Sequence, residues 1–212
     1  MTAIIQFFQE GGMFMYPIMV VLALGIAISL ERYVFLSGSK RTNTKMWDKL
    51  IPLVKSGDFQ QAMNITSRSK SDISKVLTYG LSRVKGARSR QDIETAMEEG
   101  LMEIMPRLEK RTHYIATFAN IATLLGLLGT IIGLIQAFTA VANANPADKA
   151  DLLSGSISVA MNTTAFGLMA AIPLILIYTV LQTKTTELVD SLEMASVKFL
   201  YIIMERASAK AG

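Results

Sequence analysis

The chain contains no cysteine and a single histidine. The first absence excludes disulfides and thiolate metal sites, and the second excludes any multi-histidine metal centre. Charge is scarce as well. Charged residues make up 18% of the 212 residues, against 51% hydrophobic, whereas soluble domains carry about a quarter charged. The shortage is local. Residues 11–30, 114–147 and 152–183 contain no Asp, Glu, Lys or Arg. A helix needs about 20 mostly apolar residues to span a bilayer. The first window just reaches that length. The other two exceed it, so their helices are expected to protrude from the hydrocarbon. Three such windows argue against a buried soluble core. The expected fold class is an all-α membrane protein with three transmembrane helices, over residues 13–36, 115–141 and 157–181. No Lys or Arg precedes Arg32, so the first window lacks the basic leader of a signal peptide.

The basic residues set the orientation. Between the second and third windows only Lys149 is basic; the other 20 of the 21 Lys and Arg lie between Arg32 and Arg111 or after Thr183. Basic loops stay on the cytoplasmic side. The expected layout is a periplasmic N-terminus (1–12), a cytoplasmic loop (37–112), a periplasmic loop (142–156) and a cytoplasmic helical tail (184–212). The pI of about 9.3 is then a topology signal, and no nucleic acid is expected as a partner.

The cytoplasmic loop reads as helical throughout. "TKMWDKLIPLVKSGD" is expected to form a short amphipathic helix stopped by Gly57. Asp58 should cap "FQQAMNITSR" and Ser71 should cap "DISKVLTYGLSRVKG". Ser89 and Asp92 fit a capping box. Ile93, Met97, Leu101, Ile104, Met105 and Leu108 then recur at helical spacing. A single helix is expected to run from there into the second span, with Pro106 as the only kink. The tail should extend the third helix as an amphipathic stalk. The loop has no histidine and interleaves acids with bases, the pattern of solvated helix faces. Neither enzymatic activity nor a cofactor is expected of it; packing among subunits is.

Small and polar residues mark the second and third spans. In "NIATLLGLLGTIIGLIQAF", Gly126, Gly129 and Gly133 share one face, and Ala160, Gly167 and Ala171 repeat the habit on the third helix. Small residues let helix backbones approach closely in lipid. These glycines are the expected helix-packing positions, and a ring of subunits held by them is the expected assembly. Thr130 lies in the second span, and Asn162, Thr163 and Thr164 stand side by side in the third. A lone threonine bonds back to its own helix. An amide in hydrocarbon needs protein or a wet cavity, and three adjacent polar residues cover most of a helix circumference. The two windows carry no ionisable group, although proton relays normally use them. A conducting role therefore requires a carboxylate from another protein. Glu31, Arg32 and His113 fall at span edges, where interfacial anchoring is expected.

"PRLEKRTHYIATFANIATLLGLLGTIIGLIQAF" and "SISVAMNTTAFGLMAAIPLILIY" together resemble the MotA/TolQ/ExbB proton-channel family, and most of all its ExbB and TolQ branches, from about Glu98 to Tyr178. The resemblance implies a pentameric ring in the bacterial inner membrane around a dimer of single-span ExbD/TolR-like partners. The partner helix brings an intramembrane Asp that binds the translocated ion. The motor so formed energises a TonB-like protein, an envelope system or motility. By motif, Thr130 of "GLLGT" and Thr164 of "TAFG" face the partner. Asn162 and Thr163 join them as the expected ion pathway. The sequence also departs from the ExbB/TolQ pattern: Val159 stands where a Glu is usual, and Thr123 where a Pro is usual. Thr163 replaces a small apolar residue, and the Thr163–Thr164 pair resembles sodium-driven flagellar stators. Two fuels stay open, protons or sodium held by Thr130, Thr163 and Thr164. The alternative of a different class is a non-conducting membrane scaffold built on the same glycine faces.

Overall fold

The computed structural model describes residues 11–84, 86 and 89–211, the side chains of residues 207–211 excepted. Of the expected periplasmic N-terminus (1–12), all but Gly11 and Gly12 lies outside the described residues. The helices are α1 (Met15–Ser56), α2 (Phe59–Arg68), α3 (Asp72–Val84), α4 (Arg90–Glu109), α5 (Thr112–Ala142) and α6 (Lys149–Ala211). Among the described residues there is no strand. Three stretches are long and apolar enough to cross a membrane, within Met15–Ser56, Arg90–Ala142 and Lys149–Arg206.

The chain divides into two compact units. The first comprises residues 1–31 and 111–181. Its interior is made of small residues: Ala119, Ala122 and Gly126 of α5 are buried, as are Ala160, Ala170 and Ala171 of α6. Its large apolar side chains point outward, with Leu124 and Leu176 each 63% exposed and Ile131, Phe138 and Ile172 also exposed. A water-soluble fold would bury these residues. In lipid nothing drives them inward, and close backbone contact through small residues supplies the packing. From α1, Met15 and Ile18 are fully buried, and a Cβ built on Gly25 would lie 2.7 Å from Leu174 Cδ2. Ser29 donates its hydroxyl hydrogen to the Gly25 carbonyl at 2.7 Å, which satisfies it within the helix.

The second unit comprises residues 32–110 and 182–212, and its core includes Leu50, Leu77, Ile104, Leu108, Leu192 and Phe199. Here "TKMWDKLIPLVKS" is not a separate helix. It is the last part of α1, which runs unbroken from Met15 to Ser56. The polar stretch before it looks like a linker, but its side chains are engaged. Asn43 is buried; its amide oxygen accepts the Ile73 N–H at 3.2 Å and its amide nitrogen donates to Ser39 Oγ at 3.3 Å. Ser39 donates in turn to Asp72. A neighbouring helix thus satisfies part of the open N-terminus of α3. Gly57, with φ +79°, ends α1, and Asp58 caps α2 by accepting the Gln61 N–H at 2.9 Å. Ser71 accepts the Ser74 N–H at 3.3 Å. Both bonds of the Ser89–Asp92 capping box are present. Ile93, Met97, Ile104 and Leu108 of the apolar stripe are buried, while Leu101 and Met105 are half-buried.

The expected continuous helix into the second span is interrupted. α4 ends at Glu109 and α5 begins at Thr112, with Arg111 in the left-handed region at φ +66°. Pro106 sits inside the last turn of α4 and does not end it. The break frees the Leu108 carbonyl, which an unbroken helix would give to the residue-112 N–H. Arg32 takes it. Its guanidinium donates Nη2–H to that carbonyl and stacks 4.8 Å from the Phe35 ring centroid. Arg32 is buried, so it is a structural donor and not the interfacial anchor the sequence suggested. Arg111 pairs with Glu31 at 3.3 Å on an exposed surface.

Candidate functional site

The closest approach of α5 and α6 fixes the site. A Cβ built on Gly167 would lie 2.7 Å from the Ala122 carbonyl oxygen and 3.0 Å from Gly126 Cα. One built on Gly126 would lie 3.3 Å from both Gly167 Cα and Thr164 Cα. Further along, Gly133 meets Ala160 Cβ at 2.9 Å, and Gly129 leaves no room beyond Thr163 Cγ2. All four expected packing glycines therefore face a helix of the same chain. This corrects their assignment to contacts between subunits. A GxxxG pattern announces a close helix neighbour without saying whose, and the short loop between α5 and α6 supplies that neighbour first.

The close approach brings two hydroxyls together. Thr130 and Thr164 are hydrogen-bonded through their Oγ1 atoms. Thr164 also donates to the Gly126 carbonyl at 2.8 Å, and Thr130 Oγ1 lies 3.2 Å from the same oxygen. Two hydroxyl hydrogens thus face three oxygens. One hydrogen is held by the carbonyl. The other bridges the hydroxyls or turns to an outside acceptor, because each hydroxyl both donates and accepts. Both threonines are half-buried. The carbonyl is reachable because neither Gly126 nor Gly167 has a side chain to cover it.

Thr163 does not join this pair. Adjacent helical residues point about 100° apart, and Thr163 is 2% exposed. Its hydroxyl faces the Gly11 carbonyl at 2.5 Å and the Val159 carbonyl at 3.0 Å. It ties the start of the chain's first span to α6, a contact that nothing in the sequence around Gly11 announces. Asn162 is half-buried and belongs to neither set of bonds. The structure thus assembles Thr130, Thr164 and the Gly126 carbonyl, and not the Thr130–Thr163–Thr164 set that sodium ligation called for.

The cluster is polar and uncharged. Among the described residues no group of acidic, histidine or cysteine side chains is placed to hold a metal ion. His113 Nδ1 lies 3.5 Å from the Tyr178 hydroxyl, well along both helices from the threonines. Outside the spans, Tyr79 donates to Glu103 Oε2 at 2.7 Å, and this bond and the carboxylate's charge raise the phenol pKa above its ordinary value. The membrane cluster has no titratable member of its own. It can pass or orient a proton, but cannot store one.

Comparison with known proteins places these helices in a family. Residues 68–194, which include Gly126, Thr130, Thr164 and Gly167, match the MotA/TolQ/ExbB proton channel family. An ExbB homolog from Methanothermobacter thermautotrophicus is 28% identical over 193 residues, 90% of this chain and 67% of that protein. Biopolymer transport protein ExbB of Aquifex aeolicus is 32% identical over 111 residues, 52% of this chain and 72% of that one. In fold, the chain is similar to one from the structure of C. jejuni MotAB, with a TM-score of 0.61 over 93% of this chain and 79% of that chain, at 16% identity. The apolar outer face, the glycine-packed helix pair and these matches agree: the chain belongs to the MotA/TolQ/ExbB proton channel family.

Proposed function

We propose that this chain is the ring-forming, ion-conducting subunit of a bacterial inner-membrane motor, with its N-terminus in the periplasm and its C-terminus in the cytoplasm. A pentamer of it surrounds a dimer of a single-span, ExbD/TolR-like partner. The partner's intramembrane Asp takes up and releases the ion at the level of Thr130 and Thr164. The motive force so captured energises a TonB-like protein, an envelope system or motility.

The observation that carries this reading is the Thr130–Thr164–Gly126 cluster. A carboxylate that cycles between charged and protonated forms needs a neighbour that can donate to one and accept from the other. A hydroxyl does both. A pair bridged by a hydrogen bond can switch direction without moving a helix. The work available per passage is about 2.3 kcal/mol per charge per 100 mV; the relay itself is turned by the change of charge on the partner's carboxylate. The same geometry supports protons as the fuel. Hard cations such as sodium require several oxygens in place of their hydration shell, and the Thr163 hydroxyl is turned away toward Gly11. Coupling requires that the ring without its partner leak little.

The test is proton flux into vesicles holding this protein alone or with its partner, driven by an imposed potential. The partner should be required. Thr130→Val and Thr164→Val preserve side-chain volume and remove the hydroxyls. Each should lower partner-dependent flux roughly tenfold or more with little change in melting temperature. Full flux from the double variant would show that the cluster serves helix packing alone; no partner-dependent flux from the wild type would favour the non-conducting scaffold.

A further inference from the structure

The outward face of α5 changes character along its length. His113, Thr117 and Asn120 recur at helical spacing, which sets them on one face, and all three are exposed. Thr123, half-buried, continues the row. Thr117 donates its hydroxyl hydrogen to the His113 carbonyl at 3.2 Å, and Thr123 donates to the Ala119 carbonyl at 3.2 Å. Each hydroxyl oxygen stays open as an acceptor. The Asn120 amide takes part in no hydrogen bond among the described residues, and an unbonded amide is costly in hydrocarbon. Because α5 and α6 cross at Gly126 and Gly167, residues 172–176 of α6 lie at the level of residues 117–121. There α6 exposes Ile172 (56%), Ile175 (45%) and Leu176 (63%). Polar exposure at this depth is thus confined to one face, whereas a headgroup layer would wet all faces alike. Beyond Thr123 the row stops. Residues 124–129, "LLGLLG", carry no polar side chain, and neither does α6 from Ala165 to Ile177. Leu127 and Leu168, each one turn from Thr130 or Thr164 on its own helix, are 50% and 45% exposed. From Thr123 to Thr130 is about 10 Å of helix.

We propose that Thr117, Asn120 and Thr123 line a water-filled vestibule open to the cytoplasm, and that Leu127 and Leu168 close it short of the Thr130–Thr164 pair. The proposal rests on the channel reading above and names the route by which the proton leaves. Water meets what the chain leaves unmet. It donates to the Asn120 amide oxygen, accepts from the amide nitrogen, and donates to the Thr117 and Thr123 hydroxyl oxygens. A lipid chain does none of these. The leucine level does the reverse. An apolar constriction sheds water and blocks ions without a mechanical door, which is how the ring without its partner stays tight. The partner's carboxyl group brings to that level the polar atoms this chain lacks there. Its O–H then gives the proton to water joined to the vestibule, and the carboxylate is left beside the two hydroxyls.

The absence of cysteine makes the vestibule testable in the full chain in native membranes. Asn120→Cys, Leu127→Cys and Ile172→Cys are made singly, and inside-out vesicles are treated with a charged methanethiosulfonate that cannot cross lipid. The thiolate is the reacting form, and hydrocarbon suppresses it. Asn120→Cys should therefore react about tenfold or more faster than Ile172→Cys, its counterpart at the same level, and Leu127→Cys should be as slow as Ile172→Cys. In right-side-out vesicles Asn120→Cys should be slow as well. Equal rates at Asn120→Cys and Ile172→Cys overturn the vestibule and put that face against lipid or another chain. Equal rates at Asn120→Cys and Leu127→Cys overturn the barrier. Proton flux into reconstituted vesicles reads the barrier without a thiol reagent. Leu127→Ser should raise flux in the absence of the partner by about tenfold or more, whereas Leu128→Ser, also exposed but about 100° around the helix, should not. Leak from both serine variants, or from neither, overturns the barrier. Failed labelling with normal partner-dependent flux sinks the vestibule and leaves the channel reading standing. The expected labelling without any partner-dependent flux sinks the channel reading and leaves the vestibule.

Discussion

Alanine at Gly167 and alanine at Gly155 are the same substitution in the same helix, and they should act with opposite sign. Both positions lie in α6. Around Gly155 nothing lies within 4 Å of a built Cβ. There alanine meets no obstacle and reduces the freedom of the unfolded chain, a gain of about 0.5–1 kcal/mol. At Gly167 the added carbon falls 2.7 Å from the Ala122 carbonyl oxygen and 3.0 Å from Gly126 Cα. Both obstacles are backbone, so no side chain can rotate away. An ordinary contact needs about 3.5 Å or more, and the helices must separate by the difference. Overpacking of this kind costs about 1–3 kcal/mol, which outweighs the helix-propensity gain of up to about 1 kcal/mol. The separation also pulls Thr164 from the Gly126 carbonyl, now 2.8 Å away, and from Thr130. Melting in mild detergent followed by circular dichroism should therefore give Gly155→Ala at or above the wild type and Gly167→Ala below it. Partner-dependent flux should fall in Gly167→Ala alone. Equal melting of the two variants would refute the reasoning, because it would mean that α5 and α6 do not meet at Gly126 and Gly167.

Two further outcomes follow from the same geometry. Thr163→Val keeps the methyl that fills the space beside Gly129 and removes the hydroxyl facing Gly11; it should cost about 0.5–1.5 kcal/mol of stability and leave flux nearly intact, and a loss of flux as deep as that of Thr130→Val would return Thr163 to the pathway. Asp58→Ala removes the acceptor of the Gln61 N–H and should cost about 1 kcal/mol, with faster amide exchange confined to the first turn of α2; exchange unchanged at Gln61 would show that the cap does not form.

The parts of the fold that were legible in the sequence are those whose cause is local. Asp58 and the Ser89–Asp92 box act within one helical turn, so their spacing is sufficient to find them. The stripe from Ile93 to Leu108 is likewise a property of one helix, and most of it is buried. The misses have a distant partner. The stretch from Ser37 to Thr44 is too polar to show that it continues the first span's helix, and its partners lie far along the chain: Asp72 and Ile73, some thirty positions on, and Glu187. The break at Arg111 carries no glycine to mark it. A left-handed arginine is strained, by about 1 kcal/mol or more, and is held because Arg32 takes up the carbonyl that the break releases. Neither sequence neighbourhood mentions the other.

The polar triplet in the third span shows the same division. From composition, Asn162, Thr163 and Thr164 form one polar spot, and a cation site would use all of it. Helical geometry forbids that, since three successive side chains cannot point one way. The structure divides them: Thr163 binds Gly11, just before the first span, to α6, Thr164 meets Thr130, and Asn162 is half-buried beside them. What selects Thr164 over Thr163 is the register set by Gly126 against Gly167. One residue of slip would present Thr163 to Thr130 and push the Asn162 side chain into the space beside Gly129. The glycines thus act on the chemistry without touching an ion. They fix which hydroxyl meets Thr130 and leave the Gly126 carbonyl open to both. A helix pair packed by larger residues would hold its backbones too far apart for Thr164 to reach either Thr130 or the Gly126 carbonyl.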